Sequence, residues 1–160
     1  MAPTNSVERG AQVRFPPPLV FLVCILLGVA CEYVFVPVPV PVPRMISAIG
    51  GLLLLAAGVG FIASARIHFT RTGQSPAPWK PSPELIVNGP YRFTRNPMYL
   101  GITLFEFGLG LAVNNLWISW FAVPALVSVH FLAVLPEERY LREKFGGSYK
   151  AYLAQVRRYL

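Results

Sequence analysis

The chain has 160 residues, of which 54% are hydrophobic and 13% are charged. This composition is not that of a soluble protein, and it predicts a single domain, residues 1–160, inserted in a membrane. The formal net charge of +7 does not require a nucleic-acid partner, because no soluble fold is expected that would gather the basic residues on one face.

The first apolar segment follows a polar N-terminal stretch that carries Arg9 and ends in Pro16, Pro17 and Pro18. We predict that residues 19–36 form the first spanning helix, and a cleaved signal peptide is the alternative interpretation. Alternating prolines then predict a polyproline II connector, too rigid to be hidden in a helix.

The second apolar segment, residues 45–65, contains no charged residue. As a helix it would be about 31 Å long, which is enough to cross the hydrocarbon core of a bilayer. Ala56, Gly60 and Ser64 are spaced by four, so we expect them to let a neighbouring helix approach closely.

The second half of the chain predicts a helical hairpin. A polar connection over residues 66–96 leads to a short apolar segment at 98–113, which contains Glu106. A turn at 114–115 then precedes the fourth predicted span at 116–135. We therefore predict an all-α polytopic membrane protein with about four transmembrane helices.

The tail is charged and helical in pattern after Leu135. Gly146 is expected to stop this helix, and a last short helix should follow, with Tyr149, Tyr152 and Val156 on one face. We predict that this C-terminal segment is cytoplasmic or interfacial and lies along the membrane surface.

The distribution of basic residues predicts the topology. With four spans, thirteen of the fourteen Lys and Arg residues fall on one side of the membrane. By the positive-inside rule, both termini and the long polar connection should be cytoplasmic. The excess of basic residues is thus explained by the topology of the chain in its partner, the lipid bilayer, and no nucleic-acid partner is needed.

The stretch from Asn88 to Gly101 is unusual for the place where a chain re-enters a membrane, because it combines many polar groups with two prolines. Gly89 permits close approach of the backbone to a ligand, and Pro97 suits the first turn of a helix. A helix N-terminus favours an anion, and tyrosine rings can pack against an adenine or a cation. A zwitterionic aromatic small molecule would fit here.

This stretch and a second one resemble the signature of the isoprenylcysteine carboxyl methyltransferase family and its relatives, the phospholipid N-methyltransferases. The second stretch comprises Glu137-Glu138-Arg139-Tyr140-Leu141 and then Phe145-Gly146-Gly147-Ser148-Tyr149 with Tyr152. The resemblance covers residues 84–160. It implies methyl transfer from S-adenosyl-L-methionine to a lipophilic or membrane-embedded acceptor. The distribution of basic residues places both stretches, and so the cofactor site, on the cytoplasmic side.

The resemblance also implies site residues. Glu137 would meet the charged amino-acid end of the cofactor, and Arg95 either pairs with the cofactor carboxylate or anchors the chain at the interface. With Gly89 and Glu137, the predicted cofactor-binding residues are Leu85, Ile86, Val87, Tyr91, Asn96, Pro97, Met98 and Tyr99. Glu137 is a candidate catalytic residue, and the positions of Arg95 at the interface and of Glu106 at membrane depth add these two residues as further candidates.

The chain departs from the family pattern at two positions. Asn96 stands where the family often has histidine, so a proton relay is excluded at this residue. Ala133 stands where prenylcysteine enzymes have an arginine for the carboxylate of their substrate. A prenylcysteine carboxylate as methyl acceptor is therefore in doubt.

Other polar residues in the apolar segments leave alternatives open. Glu106 can orient the acceptor or accept its proton, or it can be a protonated structural residue. His130 can be a base or a packing residue, and a haem held by His68 and His130 lacks supporting context. Two cysteines, Cys24 and Cys31, predict buried thiols and neither a disulfide nor a metal site.

Two other functional classes fit the size of the chain. A small four-helix multidrug transporter would use Glu32 or Glu106 as its coupling carboxylate, but it has little use for the long polar connection and the basic tail. A non-catalytic membrane scaffold is the third possibility.

Overall fold

The computed structural model describes residues 10–159, and within this range the chain is helical and contains no β-strand. The elements are α1 (Pro18–Val34), α2 (Arg44–Arg71), a 3₁₀ turn (Gly89–Arg92), α3 (Pro97–Val113), α4 (Leu116–Val129), a π-helical segment (His130–Val134) and α5 (Leu135–Gln155). The predicted all-α class is confirmed for this range. Arg9 and Leu160, which belong to the predicted N-terminal stretch and signature region, lie outside it.

Two helices within residues 10–159 are long and apolar enough to cross a membrane: α2, and the continuous helical run Leu116–Gln155, whose apolar part is residues 116–135. The helices α1 and α3 are apolar but have 17 residues each. A 17-residue helix is about 26 Å long, at the lower limit for a span. Four spans therefore remain a prediction.

The second helix is longer than the sequence pattern predicts. It begins at Arg44 and continues to Arg71, so the polar connection starts at residue 72 and not at 66. The charged residues that end the apolar segment do not end the helix, because arginine is a good helix former and Arg71 lies in the last turn, where a cation is favourable. The Thr70 and Thr72 hydroxyls donate to the carbonyls of Arg66 and His68, so both are satisfied locally. The helix ends just before Gly73, which has a φ of 66°. The first helix is also shorter than predicted and ends at Val34.

Glycines bring α2 and α3 close together. A Cβ atom added at Gly58 would lie 2.6 Å from the carbonyl oxygen of Gly101, and one added at Gly108 would lie 2.8 Å from the carbonyl oxygen of Gly51. The expectation that Gly60 takes part in such a contact is wrong, because a Cβ there would meet nothing within 4 Å. The contacting glycines are spaced by seven, two helical turns, and lie on a different face of α2.

The two connections at one end of the bundle bind each other. Asn114 adopts a left-handed conformation with a φ of 63°, and Asn115 caps α4 by accepting a hydrogen bond from the amide of Ile118. The amide of Leu116 donates to the carbonyl of Val38 in the proline-rich connector, at 3.0 Å. The predicted turn at 114–115 is confirmed, and the opposite end of the bundle is left for the long polar connection and the tail.

The tail forms α5, which bends at Gly146 (φ 49°, ψ −115°) and then continues as a helix. The prediction that Gly146 interrupts the helix is confirmed. The face carrying Tyr149, Tyr152 and Val156 is buried against Leu85 and three residues of the tail itself, namely Leu141, Phe145 and Leu153. This face therefore packs on protein, and the placement of the segment along the membrane surface stays a prediction.

The glycine contacts between α2 and α3 can be tested with a matched pair of substitutions. Gly58→Ala should destabilise the protein by about 1–3 kcal/mol, because the added methyl group meets backbone atoms of α3. Gly60→Ala should be neutral or stabilise it by up to about 1 kcal/mol, since alanine favours helix and the site is open. Unfolding in mixed detergent micelles, followed by circular dichroism, measures both. Equal effects of the two substitutions would contradict the close approach at Gly58.

Candidate functional site

A cavity of about 320 Å³ lies at the end of the bundle that carries the polar connection and the tail. Its volume is at the lower end of the range for small-molecule sites. Its walls come from parts of the chain that are far apart in sequence: the segment before α1, the end of α2, residues 74–86, the start of α3, and α5. The cavity is therefore a product of the whole fold.

Most of the sequence-predicted site residues line this cavity. The residues that do so are Leu85, Ile86, Tyr91, Arg95, Asn96, Pro97, Met98, Tyr99 and Glu137. Val87 is exposed and does not line it, and Gly89 faces a shallow groove on the other side of the 3₁₀ turn. Glu106 is fully buried one turn beyond Ile102, which does line the cavity. The roles of these residues remain predictions.

Tyr99 and Glu137 join the two halves of the signature at the cavity wall. The Tyr99 hydroxyl donates a hydrogen bond of 2.5 Å to Oε1 of Glu137. Glu137 lies beyond the apolar part of the fourth helix, and its burial raises its pKa to about 7, although the hydrogen bond from Tyr99 counteracts this rise. A carboxylate held in this way is suited to accept hydrogen bonds from a cation.

The 3₁₀ turn presents Tyr91 to the cavity. Gly89 begins the turn with a φ of 62°, and a side chain at this position would collide with the ring of His68. The Tyr91 ring packs edge-on against Phe69, with 6.1 Å between ring centroids, and its carbonyl accepts a 2.7 Å hydrogen bond from the Tyr152 hydroxyl. Burial raises the pKa of Tyr91, so the phenol is neutral. These contacts hold the ring in one orientation.

The N-terminus of α3 opens at the cavity without a side-chain cap. Pro97 occupies the first turn, and Asn96 makes no capping hydrogen bond. The Asn96 side chain instead donates a 3.0 Å hydrogen bond to the carbonyl of Arg158. Because no side chain satisfies the first amides of α3, this terminus can receive an anionic group.

Glu138, next to Glu137, is surrounded by arginines. Arg158 binds it with two hydrogen bonds of 2.9 and 2.8 Å, whereas the nearest nitrogens of Arg95 and Arg142 lie at 3.5 and 3.7 Å. Burial alone would raise the pKa of Glu138, but the hydrogen bonds and charges of these arginines bring the pKa below its ordinary value. Glu138 is thus an anion, bound chiefly by Arg158.

Two buried polar atoms in residues that line the cavity have no hydrogen-bond partner: Oε1 of Gln74, an acceptor, and Nε of Arg95, a donor. An unsatisfied buried polar group costs about 1–3 kcal/mol. A ligand that offers both a donor and an acceptor would remove this cost. Such a pair is an exception among buried polar groups that an ordered water or a ligand would satisfy.

Sequence reasoning missed several residues of the cavity. Gln74 and Phe69 line it, but neither belongs to a motif or a periodic pattern, and Pro17 lines it although its proline run predicted only the start of α1. Tyr149 and Tyr152 also line it, and they were part of the second signature stretch without a role of their own. The spacing of these two tyrosines, which puts them on one face of a helix, was the feature of the sequence that could have revealed them.

The histidines have local partners outside the cavity wall. Nδ1 of His68 is 2.8 Å from the carbonyl oxygen of Ser64, and Nδ1 of His130 is 2.9 Å from the hydroxyl of Tyr159. Glu106 differs from them, because neither of its carboxyl oxygens has a hydrogen-bond partner. The structure does not bring either histidine to the cavity.

The raised pKa of Glu137 predicts a pH-dependent gain in stability for Glu137→Gln. Since the folded-state pKa is about 7 and the ordinary value is 4.5, the native carboxyl favours the protonated form, and its contribution to stability is lost as the pH rises through 7. Glutamine is neutral and can still accept the hydrogen bond from Tyr99. At pH 8 the variant should be more stable by about 2 kcal/mol, and the gap should close towards pH 5. Unfolding of the ligand-free protein at both pH values tests this, and a pH-independent gap would contradict it.

Comparison with known proteins identifies the family. The sequence profile of the phospholipid methyltransferase family matches residues 46–148, well over half of the chain. No curated protein matches the chain. The match spans α2, α3, α4 and the first part of α5, and so includes most of the residues that line the cavity. It implies methyl transfer to a lipid-related acceptor, and together with the apolar helices it indicates an integral membrane protein. The chain belongs to the phospholipid methyltransferase family, which confirms the resemblance of its signature stretches.

Proposed function

We propose that this protein transfers a methyl group from S-adenosyl-L-methionine, bound in the cavity, to a lipophilic acceptor that enters from the bilayer. One observation carries the proposal. Tyr91 and Glu137 come from two signature stretches separated by two helices, and they line the same cavity. A shared cavity of this size suits one small ligand that touches both.

The charged amino-acid end of the donor fits the polar groups of the cavity. Glu137 would accept hydrogen bonds from the ammonium group, and the unpartnered Nε of Arg95 would donate to the carboxylate. The uncapped N-terminus of α3 adds a favourable field for the same carboxylate. Gln74 offers an acceptor for a further donor on the ligand.

The aromatic end of the donor fits the remaining wall. Tyr91 supplies a fixed ring, and Leu85 and Ile86 supply apolar surface beside it. The sulfonium of the bound donor supplies an already activated methyl group. The side chains of the cavity therefore need only position the ligand and exclude water, which is consistent with the absence of a histidine from the cavity wall of the described residues.

The acceptor is proposed to be lipophilic, and the atom that receives the methyl group can be nitrogen, oxygen or sulfur. Ala133, at the position where prenylcysteine enzymes have an arginine, is fully buried in the core between the helices. It offers no charge to a carboxylate. This placement weighs against a prenylcysteine carboxylate as the acceptor.

We also propose that α1 to α4 all span the bilayer, with the cavity on the cytoplasmic side. The basic residues that the positive-inside rule uses fall mostly in the same connection and tail that build the cavity. A cytoplasmic opening would give the site access to a soluble donor, while the helices keep it at the membrane. Nucleic acid has no part in this function.

Binding of the product S-adenosyl-L-homocysteine tests the donor site. Tyr91→Ala and Glu137→Ala should each weaken binding to the protein in detergent by about tenfold or more, because the first removes a buried ring and the second a charge-assisted hydrogen bond. Isothermal titration calorimetry measures both.

Matched controls use exposed residues of the same kind. Phe93→Ala and Glu143→Ala should leave binding within about twofold of the unaltered protein, because both side chains point to solvent or lipid. If all four variants bind alike, the assignment of Tyr91 and Glu137 is wrong.

Methyl-labelled donor added to membranes that contain the protein tests the acceptor class. We expect label in the lipid-extractable fraction, because the acceptor is proposed to reach the cavity from the bilayer. Glu137→Ala membranes are the control and should incorporate little. Label found only in water-soluble products would contradict a lipophilic acceptor.

A further inference from the structure

The last described residues are tied to the start of the candidate site by backbone and side-chain bonds. The carbonyl of Arg157 accepts a 3.0 Å hydrogen bond from the amide of Arg95. The carbonyl of Arg158 accepts two more, from the hydroxyl of Thr94 and the side chain of Asn96, each at 3.0 Å. The chain from Thr94 to Asn96 is therefore held by the tail before α3 begins.

The side chain of Arg158 contacts a different residue, Glu138. It binds both carboxylate oxygens of Glu138 in a two-pronged arrangement, at 2.9 and 2.8 Å. The guanidinium of Arg95 lies 3.5 Å from Oε1 of the same carboxylate and is much more buried than that of Arg158, with relative exposures of 12% and 33%. Two cations thus compete for one anion, and Arg158 has the better geometry.

The competition matters because Arg95 lines the cavity and keeps its Nε without a partner. If Arg158 were absent, the buried Arg95 would be the nearest replacement for Glu138, since a buried anion cannot remain unpaired without a large cost. Its guanidinium would then be drawn away from the cavity. Arg142 is a poorer replacement, because it is exposed and lies 3.7 Å away.

We propose that Arg158 is a positioning residue of the site: by neutralising Glu138, it leaves Arg95 free to bind the carboxylate of a zwitterionic ligand. This inference rests on the proposed function. It assigns a role to a residue outside both signature stretches and outside the family match, which ends at residue 148. Arg158 does not line the cavity, so its effect on the ligand passes through Arg95.

The test compares two ligands on one variant. Arg158→Ala keeps the backbone carbonyl that holds Thr94 and Asn96, and removes only the side chain. S-adenosyl-L-homocysteine should bind the variant roughly tenfold or more weakly. 5′-Methylthioadenosine, which has the same nucleoside and thioether but no amino-acid end, should bind both proteins with the same affinity, and this binding also shows that the variant is folded. Calorimetry in detergent provides both affinities.

A second substitution separates charge from structure. In Arg158→Ala/Glu138→Gln the anion is gone, so Arg95 is no longer drawn away and the affinity for S-adenosyl-L-homocysteine should recover to within about threefold of the unaltered protein. The affinity of Arg158→Lys should lie between those of Arg158→Ala and the unaltered protein, because lysine keeps the charge without the two-pronged geometry. Arg157→Ala is the matched control and should have no effect, since its side chain is exposed.

The outcomes distinguish this inference from the proposed function. Equal loss of both ligands in Arg158→Ala, without recovery in the double variant, would show a structural role only and overturn the inference. Unchanged binding of S-adenosyl-L-homocysteine in Arg158→Ala would also overturn it, because Arg142 would then suffice. If the unaltered protein bound 5′-methylthioadenosine but not S-adenosyl-L-homocysteine, or neither, the proposed function itself would fail and this inference with it.

Discussion

Backbone that leaves a helix close to a membrane must find its hydrogen bonds within the protein, because hydrocarbon offers none. The stretch from Asn88 to Asn96 is such backbone, since two prolines and Gly89 prevent it from joining α3. Several of its amides bond within the stretch, for example those of Phe93 and Thr94 to the carbonyl of Pro90. The amide of Arg95 and the side chains of Thr94 and Asn96 donate instead to the carbonyls of Arg157 and Arg158 at the end of the chain. The geometry of the loop before α3 therefore depends on the tail as well as on the loop's own turn.

This dependence explains the arrangement of the rest of the fold. The glycines of α2 and α3 allow the two helices to approach closely. This contact fixes the position of α3, and with it the loop that immediately precedes α3. The kink at Gly146 turns the chain so that Tyr149 and Tyr152 face the cavity and the final residues can return to Thr94. At the other end of the bundle, the proline-rich connector binds the turn at Asn114, so that end is closed by short bonds between connections.

Much of this could be predicted from the sequence, and the failures share a physical cause. Hydrophobicity located the apolar helices, and the chemistry of Gly146, Asn114 and Pro97 located a kink, a turn and a helix start, because these features depend on local preferences. The end of α2 was placed too early, since Arg66 ends the apolar segment without ending the helix, arginine being a good helix former. Gln74 and Arg158 went unnoticed because their roles depend on partners far away in the chain. Tertiary contacts of that kind leave no period or spacing in a single sequence.

The charges of the site constrain what it can accept. Four charged side chains line the cavity: Arg95 and Glu137, which match the two charges of a zwitterion, and Arg66 and Glu84, which are exposed. Glu138 is already bound, chiefly by Arg158. If the donor takes Arg95 and Glu137, the charges that remain at the cavity wall lie on the exposed side chains of Arg66 and Glu84, and Ala133 is buried where a related enzyme would place an arginine. An acceptor with a charged head would then have to keep that head at the hydrated interface and present only its reacting atom to the cavity. Selectivity for the lipophilic part of the acceptor would then come from the shape of the apolar walls, which is why the sequence that reveals the donor site is silent about the acceptor.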